Sequence, residues 1–483
     1  MTGNRIRAVG AYAPRFRITA EAFEEAWGQF QASGIEEKAV PGADEDALTM
    51  AVAAAKRALA ADGSDGAAVD YLAFASTTPP LAEGDLTSRL GAALGVPETA
   101  TRRLQSGSTR AGTSALVDAV AADLDGGRAL VVAADCPKGH LDDSVDHAAG
   151  AGAAAFVLGD GSDDGGATVT DHAEYATPYP GTRFREAGSE RTEGLDVTTY
   201  ERTAFSEVVT GAVDALDTDP EPDAVAIQAP DGKRPYRVAG ALGVDNSAIY
   251  DVATVQELGD TAAASAPLSL ARALADGVET TLVVGVGSGA GADALVVETG
   301  SDGDGGDDVA ADLALDGGAT LSYAEYLRQR GEVTSGPPDG GGAYVSVPSW
   351  KRSIPQRYRL EAGRCEACGA LNFPPEGACE SCNERAGVEP VELPGTGSVE
   401  AVTTISQGGA PPEFAEQQSK SGDFAVAVVA FEGPDGGSVS VPVQVTDAEP
   451  ASVGVGDAVA AEFRRIYTQE GVTRYGSKVK PAE

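Results

Sequence analysis

Apolar positions along residues 1–300 switch period repeatedly. In DALTMAVAAAKRALAADG (46–63) they recur every three or four residues, the helical spacing, and Gly63 supplies a stop. VDYLAFAST (69–77) is a continuous apolar run of strand length. TSALVDAVAADLDGG (113–127) returns to the helical period, and RALVVAAD (128–135) reads as a strand again. AAAFVLGD (153–160), DAVAIQAP (223–230) and TTLVVGVG (280–287) continue the series as strands. This alternation predicts an α/β fold in which helices cover a buried sheet.

An internal echo suggests two related halves. AGAGAAAFVLGD (149–160) closes the first and GVGSGAGADALVVETG (285–300) the second, each with a Gly/Ala-rich turn before an apolar strand. Aligning the shared GAGA sets Gly150 against Gly289, 139 residues later. Each half is expected to supply one packed sheet of an αβαβ unit. GVGSGAG is not read as a dinucleotide loop. That loop opens a helix, whereas these glycines lead into another strand, ADALVVE.

Three stretches read as seams: GSDGDGGDD at 300–308, SGPPDGGG at 335–342, and NERAGVEPVELPGTG at 383–397. Beyond them, GSVEAVTTIS, DFAVAVVAFEG, GSVSVPVQVTD and DAVAAEFRRIY carry short β patterns. Five or so strands in about 95 residues fit a small barrel such as the OB-fold. The expected division is 1–345 for the α/β region, 346–387 for a cysteine-bearing segment and 388–483 for the barrel. At 483 residues the chain is long enough for two or three domains.

Charge changes the picture of partners. The chain has 35 Lys+Arg against 74 Asp+Glu, a net charge of −39, and the acidity is spread along its whole length. Such a surface repels nucleic acid and anionic lipid. The barrel pattern points the same way, since residues 388–462 hold Lys420 and no other Lys or Arg; an oligonucleotide groove needs cations and stacking aromatics. Only 8 of the basic residues are Lys. An Asp-rich, Lys-poor chain suits a halophilic setting, because molar salt screens its self-repulsion within about 3 Å. No apolar run is long enough to span a membrane, and the N-terminus lacks a signal-peptide core. A cytoplasmic protein is expected.

Four of the five cysteines, Cys365, Cys368, Cys379 and Cys382, fall within eighteen residues in the pattern C-x2-C-x10-C-x2-C. Each C-x2-C knuckle presents two sulfurs to one ion, and four thiolates satisfy tetrahedral Zn(II). A closed four-ligand set makes the expected metal structural. Iron in a rubredoxin-like site and an empty ribbon are the alternatives. The fifth, Cys136 in AADCPKG, stands alone.

IPQRYRLEAGRCEACGALNFPPEGACESC, followed by VGVGDAV, FRR and RYGSK, resembles the zinc-ribbon/OB-fold family that accompanies thiolases and related acyl-CoA enzymes. The resemblance implies acyl-CoA handling, or bridging to a thiolase or synthase partner. Residues 1–345 resemble the archaeal and bacterial 3-hydroxy-3-methylglutaryl-CoA synthases of the thiolase superfamily. The likeness rests on GIEEKAVPGADEDALTMAVAAAKRAL, TRAGTSALVDAV, AAGAGAAAFVLGD, APDGKRPYRVAGALG, GSGAGADAL and LSYAEYLRQRGEV. It implies a five-layer αβαβα thiolase-like fold, a homodimer, and condensation of acetyl-CoA with acetoacetyl-CoA.

That chemistry uses a cysteine nucleophile, a glutamate acid/base and a histidine that polarises the second substrate. The family's Cys-Lys/small-Ala-Gly-Thr reads Thr109-Arg110-Ala111-Gly112-Thr113 here, so Thr109 occupies the nucleophile position, with Ser106 and Ser108 near it. His-Gln-Pro-Asn-Gly-Lys reads Gln228-Ala229-Pro230-Asp231-Gly232-Lys233, which puts Gln228 at the histidine. Gly-Ser-Glu-Ser reads Ala75-Ser76-Thr77-Thr78, which puts Thr77 at the glutamate; Glu83 and Asp85 follow at the wrong spacing. Gly-Asn-Thr reads Gly259-Asp260-Thr261, with Asp260 in place of the amide. Lys233 is kept, and the resemblance implies a place for it near the CoA phosphates. The three histidines, His140, His147 and His172, lie away from the Gln228 motif in sequence. Together these point to a retained acyl-CoA-binding scaffold that lacks the standard condensing activity, a pseudoenzyme. The alternative is an active condensing enzyme or acyltransferase with a non-standard nucleophile, Cys136 among the candidates.

Overall fold

The structure, a computed structural model, describes residues 4–124, 126–159, 166–195, 197–299, 313–333, 347–385, 387–406, 410–469 and 471–482. The seams at 300–308 and 335–342 and the boundary at 345 lie outside them. The chain forms two compact units, one of residues 1–41 and 46–326, the other of residues 42–45 and 327–483.

In the first unit the strands are β1 (Arg5–Tyr12), β2 (Phe16–Thr19), β3 (Glu37–Val40), β4 (Val69–Ser76), β5 (Thr101–Ser106), β6 (Arg128–Asp135), β7 (Gly152–Gly159), β8 (Ala167–Pro178), β9 (Ala224–Ile227), β10 (Thr280–Gly287), β11 (Ala290–Thr299) and β12 (Ala319–Thr320). Nine of them run in the order β5-β4-β6-β7-β1-β8-β11-β10-β9; β12, β2 and β3 form a separate small sheet. The long order is two sheets joined through a single register pair, Ile6 with Ala167.

Each half repeats one topology. β1 runs antiparallel to β7, β7 antiparallel to β6, and β6 parallel to β4. In the second half β8 runs antiparallel to β11, β11 antiparallel to β10, and β10 parallel to β9. The echo in the sequence is therefore a duplicated sheet, in which β7 corresponds to β11. The glycine-rich GVGSGAG is the β10–β11 hairpin turn, with Gly289 at φ 69°.

Helices sort into layers by what they bury. The helix Ala47–Asp62 opens with a capping box between Asp46 and Thr49 and closes on Gly63. It packs on β1, β6 and β7. The helices Ala111–Val120 and Ser265–Ala275 lie between the two sheets: the first touches β4, β6 and β10, the second β1, β7, β9 and β10. The helix Thr198–Val213 covers the outer face of the second sheet through Phe205, Val208 and Val209. This is the five-layer αβαβα arrangement, with its core filled largely by alanine and leucine.

The central helix is shorter than its sequence pattern predicts, ending at Val120 rather than near Gly127. Asn4 explains the stop. Its side-chain amide donates to the Ala119 and Ala122 carbonyls at 2.9 and 2.7 Å, and its N–H to Val120 at 3.0 Å. These bonds occupy carbonyls that a further turn would need.

The second unit holds a three-stranded ribbon, β13 (Glu361–Cys365), β14 (Leu371–Asn372) and β15 (Val388–Glu392), in the order β14-β13-β15. Five strands follow: β16 (Thr396–Ile405), β17 (Phe424–Glu432), β18 (Ser438–Gln444), β19 (Ala458–Gln469) and β20 (Val472–Pro481). Their order is β18-β17-β16-β19-β20, and a parallel bridge from Val445 to Val479 nearly closes the barrel, consistent with an OB-fold. Val429, Phe431, Val459 and Val479 fill its interior. Lys478, fully buried, donates to Asp44 at 2.8 Å. Burial alone would raise the Asp44 carboxyl, but Lys478 and Arg464 outweigh it and hold the group below its ordinary value. No helix among the described residues is long and apolar enough to cross a membrane.

Candidate functional site

The central helix begins just after Thr109, where β5 ends and Gly107 turns the chain at φ 82°. Thr109 is buried. Its hydroxyl donates to the Val286 carbonyl, and its N–H donates to Ser288 Oγ at 3.2 Å. Ser288 Oγ donates back to Thr109 Oγ1 at 3.4 Å. One residue on, Arg110 pairs with buried Asp293 at 2.7 Å, and Thr113 and Ser114 donate to the same carboxylate at 2.8 and 2.7 Å. Burial keeps the Asp293 carboxyl above its ordinary value despite these donors. Gly112 packs directly on the Ala263 backbone; a Cβ there would lie 2.2 Å from the Ala263 oxygen. The AGT glycine thus fixes how deep the helix sits.

Gln228 follows β9 and is 3% exposed. Its amide donates to Asp260 Oδ1 at 3.4 Å. Asp260 in turn pairs with Arg183 at 2.5 Å and accepts the Ala262 N–H at 2.9 Å. Thr109, Gln228, Asp260, Arg183 and Lys233 all line one cavity of about 630 Å³, within the range of small-ligand sites. Lys233 is exposed there. Gly232 before it touches Gly34 backbone to backbone; a Cβ would come within 2.1 Å of the Gly34 oxygen.

Thr77 is not part of the cavity lining. It is buried at the end of β4, and its hydroxyl has no hydrogen-bond partner among the described residues. Its N–H donates to the buried carboxylate of Asp135 at 2.9 Å. Asp135 also accepts the Thr78 N–H at 2.7 Å, the Ser76 hydroxyl at 3.1 Å and the Ala263 N–H at 2.9 Å. One side chain therefore ties the Thr77 turn to the turn that carries Asp260. Of the downstream carboxylates, Asp85 caps the helix Leu86–Leu94 and Glu83 is exposed; neither lines the cavity.

Cys136 follows Asp135. Burial, then the Asp135 carboxylate, pushes its thiol up to about 12. A thiol in that state supplies almost no thiolate near neutral pH.

Sequence distance misplaces one residue. His140, remote from the Gln228 motif along the chain, lines the same cavity as Gln228. Chain separation says nothing about a loop brought round between β6 and β7. Glu193 stands 3.8 Å from its Nε2. Asp135, Arg183, Ser288 and Asp293 were likewise not singled out by spacing. The clue available was chemical: Asp135 and Asp293 are carboxylates within strand-forming apolar runs, where a charge needs a structural reason. His147 is a buried packing residue. Burial, then Lys38, holds its imidazole below the ordinary value, and Nδ1 accepts the Gln31 N–H at 3.0 Å.

In the second unit the four cysteine sulfurs lie within 4.8 Å of one another. Cys365 and Cys382 are 3.8 Å apart, Cys368 and Cys379 3.6 Å. Four Zn–S bonds of about 2.3 Å in a tetrahedron require sulfur separations of about 3.8 Å. The donor set fits zinc. The ion would be held in a closed shell, a structural role.

Residues 352–389 match the family described as the ChsH2 rubredoxin-like zinc ribbon domain, and residues 390–464 the ChsH2 C-terminal OB-fold domain. The hydroxymethylglutaryl-CoA synthase of Methanopyrus kandleri is 32% identical over 310 residues, covering 59% of this chain and 85% of that protein. The one from Pyrococcus horikoshii is 31% identical over 296 residues, covering 60% and 84%. Among solved structures, MvaS in complex with 3-hydroxy-3-methylglutaryl coenzyme A matches with a TM-score of 0.57 at 21% identity, over 72% of this chain and 95% of that one. An HMG-CoA synthase complexed with CoA matches at 0.59 and 17% identity, over 71% and 95%. The 3-oxoacyl-(acyl carrier protein) synthase III of Pseudomonas aeruginosa matches at 0.53 and 20%, over 61% and 98%. These structural likenesses show a thiolase-like fold.

Proposed function

The chain belongs to the hydroxymethylglutaryl-CoA synthase family, and from that premise we propose that it binds acyl-CoA without performing the family's condensation. Its role is that of a scaffold or acyl-CoA-handling partner of a thiolase or synthase, in a salt-adapted cytoplasm. The working division is 1–345 for the thiolase-like domain, 346–387 for the ribbon and 388–483 for the barrel.

The observation that carries this reading is the state of Thr109. Its hydroxyl proton points at the Val286 carbonyl, and its other hydrogen-bond partner is the Ser288 hydroxyl. Neither is a base. Acyl transfer to an alcohol needs its proton removed, and an amide at Gln228 cannot take it. Thr77 offers no carboxylate to deprotonate an acetyl carbon. Each missing acid/base role is worth roughly 10²–10⁴-fold. Cys136, with its thiol held up near 12, is a poor replacement nucleophile.

Charge supports the ligand class. Lys233, Arg202 and Arg237 line the cavity, are exposed, and have no ion-pair partner among the described residues. These three cations offer contacts to the phosphates of an anionic ligand such as a CoA thioester, within a lining that also carries the carboxylates of Asp142, Asp143 and Glu193. Coenzyme A relatives of the fold give the same direction, since one solved synthase is complexed with CoA. An edge unpaired among the described residues supports a homodimer: β5 ends the nine-strand order and leaves Leu104 38% exposed.

The test is incubation with radiolabelled acetyl-CoA and acetoacetyl-CoA. The expected outcome is bound ligand, no 3-hydroxy-3-methylglutaryl-CoA, and no label surviving denaturation. Restoring all three positions, Thr109→Cys with Gln228→His and Thr77→Glu, should recover some covalent acetylation. Robust wild-type turnover that Thr109→Val or Cys136→Ser abolishes would overturn the reading and identify the nucleophile.

A further inference from the structure

His140 is the one imidazole that lines the cavity among the described residues, and its side chain is 52% exposed. Its position is built. The loop carrying it and the segment carrying Glu193 run side by side. The Thr192 N–H donates to the Lys138 carbonyl at 2.7 Å, and Arg191 Nη1 to the Gly139 carbonyl at 2.8 Å. Glu193 exchanges backbone hydrogen bonds with Phe184 at 2.8 and 3.0 Å. The His140 carbonyl accepts the Asp143 N–H at 3.0 Å, and its N–H donates to Asp143 Oδ2 at 3.3 Å. Both backbones are thus fixed before any ligand arrives, and the Glu193 carboxylate stands 3.8 Å from His140 Nε2. The cavity thus sets a half-exposed imidazole, a group able to take and return a proton, next to a carboxylate 3.8 Å from its Nε2.

We propose that His140 and Glu193 catalyse hydrolysis of an acyl thioester in this cavity, with water as the nucleophile. This rests on the reading of the cavity as an acyl-CoA site. No protein nucleophile is required, which suits a chain whose Thr109 hydroxyl is tied to a carbonyl. A water oxygen bonds to the thioester carbonyl carbon while His140 accepts the water's proton. The tetrahedral adduct collapses, the carbon–sulfur bond breaks, and the imidazolium returns the proton to the departing thiolate. The products are a carboxylic acid and free CoA, and no oxidant or second acyl group enters. Glu193 acts on His140 and is a positioning residue; His140 acts on the reacting water. The half-exposed ring keeps that water within reach, where a fully buried base would not.

The test uses the full zinc-loaded chain with acetyl-CoA and acetoacetyl-CoA. Ligand binding is measured by calorimetry, and free CoA by chromatography at saturating ligand, so that affinity changes do not enter the rate. Wild type is expected to release CoA above the protein-free control. His140→Ala should lower the rate about 10²-fold or more, with partial rescue by added imidazole, which a merely structural loss would not show. Glu193→Gln should lower it less. Circular dichroism checks the fold of each variant. Binding with no release of CoA, or a His140→Ala chain at the wild-type rate, overturns the hydrolysis and leaves the binding reading standing. No binding of either thioester overturns both.

Discussion

The ribbon and the cavity treat family chemistry in opposite ways. The ribbon keeps every ligand: four sulfurs within 4.8 Å, spaced for one tetrahedral ion. The cavity is lined by Thr109 and Gln228 where the resemblance expects cysteine and histidine, and Thr77, at the position expected for the glutamate, lies outside its lining. The reason for the contrast is energetic. Small zinc ribbons draw folding free energy from their metal, so a lost sulfur is expected to cost the structure. The thiolase-like unit encloses two helices between two sheets in a large apolar core, which no single side chain at the helix terminus supplies. Functional groups there can change while the fold persists.

Breaking the ribbon should give the largest effect. Cys379→Ser is expected to remove the zinc and unfold the ribbon while leaving the thiolase-like unit intact. Structural zinc contributes apparent free energies of about 10–16 kcal/mol in isolated fingers. Metal analysis and limited proteolysis of the two units check this; one zinc still bound per chain would refute it.

Distance along the chain, rather than the unit itself, can be tested next. Lys478 and Asp44 are 434 residues apart and share a buried ion pair. Lys478→Met leaves the Asp44 carboxylate without its ammonium partner and should cost about 3–5 kcal/mol in denaturant unfolding. Adding Asp44→Asn should recover part of that loss. A neutral single variant would mean that the pair is more hydrated than its burial implies.

A smaller change tests what holds the cavity's form. Gly112→Ala places a methyl 2.2 Å from the Ala263 oxygen and 2.8 Å from Pro267 Cγ. The helix must move, at about 1–3 kcal/mol, and Thr109 moves with it. Thermal unfolding together with acetyl-CoA affinity reads both consequences. Unchanged stability would show that the helix tolerates displacement.

The smallest expected effect is a pH slope. His147 has its folded value depressed by burial and Lys38. Its contribution is therefore fully present above the unfolded value of about 6.5, and is lost as pH falls from there through the folded value. Stability should rise with pH across that window, and the slope should flatten in His147→Gln. Denaturation midpoints at several pH values measure it, and an identical slope in the variant counts against it.

Much of the fold was legible because its signals are local. The helix at 47–62, the strands β4, β6, β7 and β10, and the zinc knuckles each lie within a window where period or spacing is decisive. The GAGA echo exposed the duplication. The end of the central helix was not legible, because Asn4, more than a hundred residues away, takes its last carbonyls. His140 was missed for the same reason: a loop's sequence position does not record which cavity it reaches.

The sequence alone therefore determined the kinds of element, the four-cysteine cluster, and that Thr109, Gln228 and Thr77 stand where the resemblance places cysteine, histidine and glutamate. Those follow from residue identity and near-neighbour spacing. Only the tertiary structure decided that Thr109 gives its proton to Val286, that Gln228 meets an Asp260–Arg183 pair, and that Asp135 ties two distant turns together. It also brought His140 beside Glu193. Each of these is a contact between segments far apart in the chain. Such contacts arise when both sheets close over their shared helices, a condition set by the packing of the whole core and recorded in no single window of sequence.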